Sequence, residues 1–448
     1  MSAAAVDSVV DVSSILQGGK TSAYRLFILI VCMVIMALDG IDAQSIAFVA
    51  PVVAPQWHLT PYNTSWFFVI GNLGAAVGAV VLGIASLRFG QRSVVVAATI
   101  CMGLSTVAAA TASGFQSMLF YRALTGIFMG PIFPVLTAMV VEYAPKGKQA
   151  SWVGLLFAGY PVGNSVGGSI AHAVIPNQGW QALFIINGVI PVVVGIVAAF
   201  MLPESLSFLV KSGAKSEIIA RYIRKFDDSV ECDAQTRFTV ESTERKSTRV
   251  KDLFTGSTAL TTTLLWLVCW LAMVEITLYI YWMPSVLKAS GMDMKGAIGI
   301  TVGLLMGGLV GSAAVGFVMD FVGRYRGLVA FNVLAVIALL ALGHASEKQV
   351  GLGAVAALVG FLILGSQVGT NGLTPMLYPA EKRVNGLSWA SSITRVGAIS
   401  GQFLGGILLG QGMSAPQIFY SSSILAALAA IVLVIMSRLR ANATETNF

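Results

Sequence analysis

The sequence predicts an all-α integral membrane protein of twelve transmembrane helices, built as two parallel-repeat six-helix bundles. Three observations predict this. Of 448 residues, 56% are hydrophobic and only 10% charged, with a mean hydropathy of +0.83, whereas a soluble domain carries roughly 25% charged residues. Apolar runs long enough to cross a bilayer core, about 20 residues for about 30 Å, recur along the chain. The second half repeats the punctuation of the first at matching positions.

In order, the runs lie near residues 26–50, 64–86, 93–111, 115–141, 151–173 and 181–202, then 258–283, 296–319, 327–345, 350–377, 386–410 and 416–437. An even number of crossings puts both termini on one side. Lys and Arg identify that side, because cytoplasmic loops hold the excess of both. Lys20, Arg25, Arg88, Arg92, Lys146, Lys148, Arg324, Arg326, Lys382, Arg383, Arg438, Arg440 and the basic run of 203–257 fall together, against Lys288, Lys295 and Lys348 opposite. The expected organisation is therefore a cytoplasmic tail at 1–25, a bundle at 26–202, a cytoplasmic central loop at 203–257, a second bundle at 258–437 and a cytoplasmic tail at 438–448. The net charge of +7 is explained by positive loops beside anionic lipid and needs no nucleic-acid partner. Residues 1–25 lack a short apolar core before a small-residue cleavage site, so the first span is expected to be retained as an anchor.

The repeat is explicit. Gly83, Arg88, Phe89, Gly90 and Arg92 after the second span recur as Gly316, Asp320, Phe321, Gly323, Arg324 and Arg326 after the eighth. Glu142-Tyr-Ala-Pro-Lys, Ser151-Trp152 and Gly167-Gly168 recur as Tyr378-Pro-Ala-Glu-Lys, Ser388-Trp389 and Gly405-Gly406. Parallel repeats of this kind are an architecture of alternating-access carriers, with a site near the midplane between the halves.

The two loops, Gly83-Ile-Ala-Ser-Leu-Arg-Phe-Gly-Gln-Arg92 and Gly316-Phe-Val-Met-Asp-Phe-Val-Gly-Arg-Tyr-Arg326, resemble the G-x-x-x-D-R-x-G-R-[RK] signature of the major facilitator superfamily. Within it, Leu38-Asp39-Gly40-Ile41-Asp42, Arg122-Ala-Leu-Thr-Gly126, Pro203-Glu204-Ser205-x-x-Phe208-Leu209 and Arg395-Val-Gly397 are similar to the aromatic acid:proton symporter family. The resemblance implies the major facilitator fold, uptake of a benzoate-like carboxylate with protons, and conformational gating at Gly83, Arg88, Gly90, Arg92, Glu142, Gly316, Asp320, Gly323 and Arg324. Leu87 stands where the signature has Asp in the first half. The resemblance then implies unequal latches: Leu87 either weakens the first or shifts its work to Arg88, Arg92 and Glu142.

Ionisable groups inside spans are functional candidates, since a charge at the bilayer centre costs about 2.5–3.5 kcal/mol on the insertion scale. Five stand out: Asp39, Asp42, Arg122, Glu275 and Arg395. The three-residue spacing of Asp39 and Asp42 puts both carboxylates on one helical face, where like charges raise the proton affinity of at least one. Proton coupling through Asp39, Asp42 and Arg122 is the functional expectation; a static pair locking the first span to the fourth is the structural one. Arg122, always cationic, can hold an Asp or a substrate carboxylate. Arg395, among the glycines of the eleventh span, is the expected carboxylate anchor, or else snorkels to the interface. Glu275, close to Trp266, Trp270, Tyr279, Tyr281 and Trp282, joins Arg122, Arg395, Tyr281 and Gln44 in the expected substrate-binding set. Such rings are more often packing or an interfacial belt than ligand contacts.

Other classes find little support. No G-x-x-x-x-G-K-[ST] element offers a phosphate cradle; His58, His172 and His344 lack metal-ligand spacing, and Cys32, Cys101, Cys232 and Cys269 have no paired spacing. The glycine series 71, 74, 78, 83 and 159, 163, 167, 168 fits helix contact. No cofactor, metal or catalytic group is expected, and an embedded enzyme or sensor is remote. A sugar, a non-aromatic acid or a drug exchanged by proton antiport remains the alternative cargo, although Gly159-Tyr160-Pro161 interrupts the Gly-Pro pair of exporters. The expected setting is a monomer in a bacterial cytoplasmic membrane, its partners being protons, lipid and a small aromatic carboxylate.

Overall fold

The computed structural model describes residues 9–11, 22–145, 147–214, 216–224, 237–239, 253–254, 258–348, 350–378 and 380–445. Lys20, Lys146, Cys232 and most of the central basic run lie outside the described residues, as do the side chains of Lys382, Arg383 and Arg440. In chain order the elements are β1 (Val9–Asp11), α1 (Ala23–Gln56), α2 (Pro61–Phe89), α3 (Gln91–Ala109), α4 (Phe115–Met129), α5 (Ile132–Tyr143), α6 (Gln149–Met201), α7 (Leu206–Lys211), α8 (Ser216–Arg224), β2 (Arg237–Thr239), α9 (Thr258–Ala289), α10 (Met294–Val322), α11 (Arg324–Lys348), α12 (Leu352–Leu377), α13 (Ala380–Gly410) and α14 (Ala415–Glu445). The short strands pair in parallel, Val9 opposite Arg237.

Eleven described helical stretches are long and apolar enough to span a membrane, and one of them contains two crossings. The 53 residues of α6 would run about 80 Å at 1.5 Å per residue, far beyond a bilayer core. Gly179, at φ 82° and ψ 174°, breaks its helical path, a backbone conformation that glycine tolerates and other residues resist. Helix persists across 174–178, where the sequence predicts a connection, so the fifth and sixth spans meet at a single residue. The fourth span, predicted as one run, is divided at Gly130-Pro131 into α4 and α5, because Pro131 has no N–H to continue the ladder. With these readings the helices account for the twelve predicted spans.

Two compact units form, one from residues 1–42, 73–163 and 184–245, the other from 43–72, 164–183 and 246–448. In the first, glycines bring helices into backbone contact. Gly159 and Gly163 of α6 lie on the carbonyls of Met33 and Ala37 in α1, Gly74 and Gly78 of α2 on those of Ala123 and Ile127 in α4, and Gly103 of α3 on Gly188 of α6. A methyl group at any of these would collide with backbone, so the small-residue spacing has a packing cause. Gly83, by contrast, borders open space. The core joins Ile28, Ile35, Met36, Met102, Leu136 and Tyr143 to Ile219 and Ile223 of α8, so part of the polar central segment is anchored by an apolar helix face.

The second unit repeats these pairings. Gly397 and Gly401 of α13 meet Trp270 and Val274 of α9, Gly307 and Gly311 of α10 meet Ala357 and Phe361 of α12, and Gly343 of α11 meets Tyr420 of α14. The duplication reaches single dihedral angles: Gly90 has φ 95° and ψ 150°, and Gly323 has φ 96° and ψ 144°. Outward faces are apolar, with Phe200 and Phe321 largely exposed, as lipid contact requires.

Candidate functional site

Three helices of the first unit converge on Asp42. Its Oδ2 accepts a hydrogen bond from Arg122 Nη1 of α4 at 3.0 Å, and its Oδ1 accepts one from Thr106 Oγ1 of α3 at 2.5 Å. Asp42 and Arg122 are 0% and 3% exposed, and Asp39 is equally buried one turn earlier. The acidic pair is therefore differentiated, with Asp42 holding the guanidinium. Arg122 Nε has no hydrogen-bond partner among the described residues. Thr106 is a member of this centre that sequence reasoning missed: a Thr inside an apolar run usually bonds its own helix, and only the fold turns it onto Asp42.

The remaining candidates lie in the second unit. Glu275 is buried in α9, and its Oε1 lacks a hydrogen-bond partner among the described residues. The rings around it on α9 serve packing: Trp266 stacks on Trp389, Trp270 bonds Ser400, and Tyr279 stacks on Phe419 and bonds Ser422. Tyr281 lies 5.0 Å from Phe68 between ring centroids. Arg395 is exposed on α13 and forms no ion pair among the described residues.

Gln44 is fully buried, and its position has a cause in helix chemistry. Pro284 in α9 has no N–H, so the carbonyl of Ile280 loses its i→i−4 partner. Gln44 Nε2 of α1 donates to that carbonyl at 3.0 Å. The reciprocal bond also exists. Pro55 in α1 leaves the carbonyl of Pro51 without its helical donor, and Lys288 Nζ of α9 donates to it at 2.5 Å. The first and seventh spans thus cap each other's proline defects, and nearby Gly406 of α13 abuts Ser65 and Pro61 of α2.

The signature loops differ. In the first half, Glu204 Oε1 accepts from the backbone N–H groups of Arg92 and Ser205, each at 3.0 Å, and the carboxylate sits where a side chain on Gly90 would be. Gly90 offers no capping side chain, so Glu204 supplies the anionic cap at the α3 N-terminus. Arg92 also donates to the carbonyl of Ala199, and Glu142 Oε1 accepts from Ser207 N at 2.7 Å. Arg88 and Leu87 are exposed. In the second half, Asp320 and Arg324 are exposed without an ion pair among the described residues, and Gly316 borders open space. In the sequence Glu204 stands only as part of the Pro-Glu-Ser motif; its contact with Gly90 and Arg92 appears only in the fold.

A repeated six-helix pattern, prolines inside the first and seventh spans and a buried Asp–Arg pair agree with the family match. The model of the Major Facilitator Superfamily matches residues 32–365. The chain belongs to the Major Facilitator Superfamily. Among superfamily relatives, a gallate transporter of Pseudomonas putida is 30% identical, covering 98% of each chain. A 4-hydroxybenzoate transporter of the same species is 29% identical, covering 96% of each. The crystal structure of a D-xylose-proton symporter superposes with a TM-score of 0.69 over 92% of this chain and 97% of its own at 17% identity, which shows the fold. The chain is accordingly a multi-pass membrane transporter of this superfamily.

Proposed function

We propose that the protein imports an aromatic carboxylate, of the benzoate or hydroxybenzoate kind, together with protons by alternating access. The observation that carries this reading is the buried Asp42–Arg122 pair, bonded by Thr106, with Asp39 one turn away. An ionised Asp42 occupies the guanidinium. A proton on Asp42 weakens that hold, and the cation becomes available to a carboxylate. Proton and substrate binding are thereby linked, as symport requires. Full-length similarity to transporters of gallate and 4-hydroxybenzoate supports the cargo class.

Two six-helix bundles, 26–202 and 258–437, are the moving bodies in this reading, joined by a cytoplasmic loop at 203–257. The loop charges support cytoplasmic termini in a bacterial cytoplasmic membrane, with the protein acting as a monomer. The Gln44–Ile280 and Lys288–Pro51 bonds lie at the ends of α1 and α9 remote from the termini, and they support an outer side held closed. One proton per monoanion makes import electroneutral; a second proton adds the membrane potential, worth about 2.3 kcal/mol per charge per 100 mV. The test is uptake of labelled benzoates, sugars and drugs by proteoliposomes under an inward proton gradient. Transport confined to sugars or cationic drugs overturns the reading.

A further inference from the structure

The amide of Gln402 lies deep in the second unit, away from the Asp42–Arg122 pair. Gln402 is 0% exposed, yet neither Nε2 nor Oε1 has a hydrogen-bond partner among the described residues. Leaving a buried polar group unsatisfied forfeits its hydration with nothing in return, so such a group in a native fold calls for an explanation.

Its surroundings follow from helix geometry. Gly401 sets α13 against Val274 and Thr277 of α9, and Gly406 sets it against Ser65 and Pro61 of α2. Successive residues turn by about 100°, so the Gln402 side chain leaves α13 between those two contact faces. On that side of α13, α9 and α2 bring their rings together: Phe68 stands 5.0 Å from Tyr281 and 5.3 Å, edge-on, from Trp282. The backbone there is pinned, because Trp282 Nε1 donates to the Gln402 carbonyl at 2.8 Å. Arg395 is seven residues earlier, about 10 Å along the axis and within about 20° of the same stripe. The stripe thus carries an exposed cation at one level and a buried, unsatisfied amide two turns deeper, beside aromatic rings.

We infer that Gln402 reads a ring hydroxyl of the substrate, making it a specificity-determining residue for hydroxylated over unsubstituted benzoates. This rests on the reading of the chain as an aromatic-carboxylate carrier. A carboxylate only accepts hydrogen bonds and suits a guanidinium; a phenolic hydroxyl donates and accepts, which matches the donor and acceptor of one amide. A site whose buried polar group needs the hydroxyl discriminates strongly against the analogue that lacks it.

The experiment measures initial uptake of benzoate and 4-hydroxybenzoate, with 3-hydroxybenzoate and gallate as competitors, in proteoliposomes of the full chain under an inward proton gradient. The expected wild-type preference for at least one hydroxylated benzoate is about tenfold or more over benzoate. Gln402→Met, similar in length and apolar, is expected to bring that ratio to within about threefold of unity while benzoate uptake persists. If the Met variant is not recovered as monodisperse protein, Gln402→Asn, which keeps the amide but shortens its reach, is read in the same way. A wild-type ratio near one, or a ratio unchanged in the variant, overturns the assignment. Absence of uptake for every aromatic carboxylate instead contradicts the wider reading of the cargo.

Discussion

Both oxygens of Asp42 are engaged, by Arg122 and by Thr106, whereas Asp39 is buried outside that pair. The two acids therefore respond differently to neutralisation. Arg122→Gln leaves a buried carboxylate without its cation, and removing one partner of a buried pair costs about 3–5 kcal/mol. The expected outcome is loss of transport together with a lowered melting temperature in detergent. Asp39→Asn leaves the pair intact; it is expected to lose uphill accumulation while retaining substrate counterflow, measured by exchange in preloaded vesicles. Unchanged accumulation in this variant removes Asp39 from proton coupling. Thr106→Val withdraws one hydrogen bond from a charged acceptor, worth about 1.5–3 kcal/mol, and is expected to weaken accumulation in the same direction. The acids and Arg122 were legible in the sequence because charge is rare in apolar runs. Thr106 and Gln402 were not, since uncharged polar residues are common in such spans and only their neighbours distinguish them.

At the scale of elements, the first and seventh spans are held by exchanged bonds at their prolines. Gln44 serves the carbonyl freed by Pro284, and Lys288 serves the one freed by Pro55. In the proposed alternating-access cycle, opening toward the side remote from the termini breaks both. Lys288→Met combined with Gln44→Leu is expected to shift the population toward that opening. The readout is maleimide labelling of Ser65→Cys, a position buried against Gly406, which should rise several-fold. Labelling unchanged by the double substitution contradicts the latch. Each proline and the lysine are visible in the sequence, but Lys288 reads there only as a loop charge. The pairing appears once α1 and α9 lie side by side. Similarly, the sequence predicts a connection between 173 and 181 where helix persists up to Gly179, and one run through Gly130-Pro131 where the structure divides it. The glycine spacing, by contrast, identified real backbone contacts at Gly74, Gly78, Gly159 and Gly163, though not at Gly83, because small residues are what close helix approach demands.

For the molecule as a whole, the twelve spans and the duplication were legible because bilayer thickness fixes span length and because the repeated loop motifs survive in both halves. Gly90 and Gly323 show how far this reaches, sharing one unusual backbone conformation. The loop charges predict cytoplasmic termini: a fluorescent protein fused after Phe448 is expected to fluoresce, and a periplasm-dependent phosphatase there to be inactive; the reverse pattern overturns the orientation. Proton-driven uptake of an aromatic carboxylate can be measured in a defined membrane. Proteoliposomes of the purified chain, given an inward proton gradient, are predicted to accumulate labelled 4-hydroxybenzoate above its external concentration and to lose it when a protonophore is added. Uptake that merely equilibrates, or that is indifferent to the protonophore, contradicts proton-driven import.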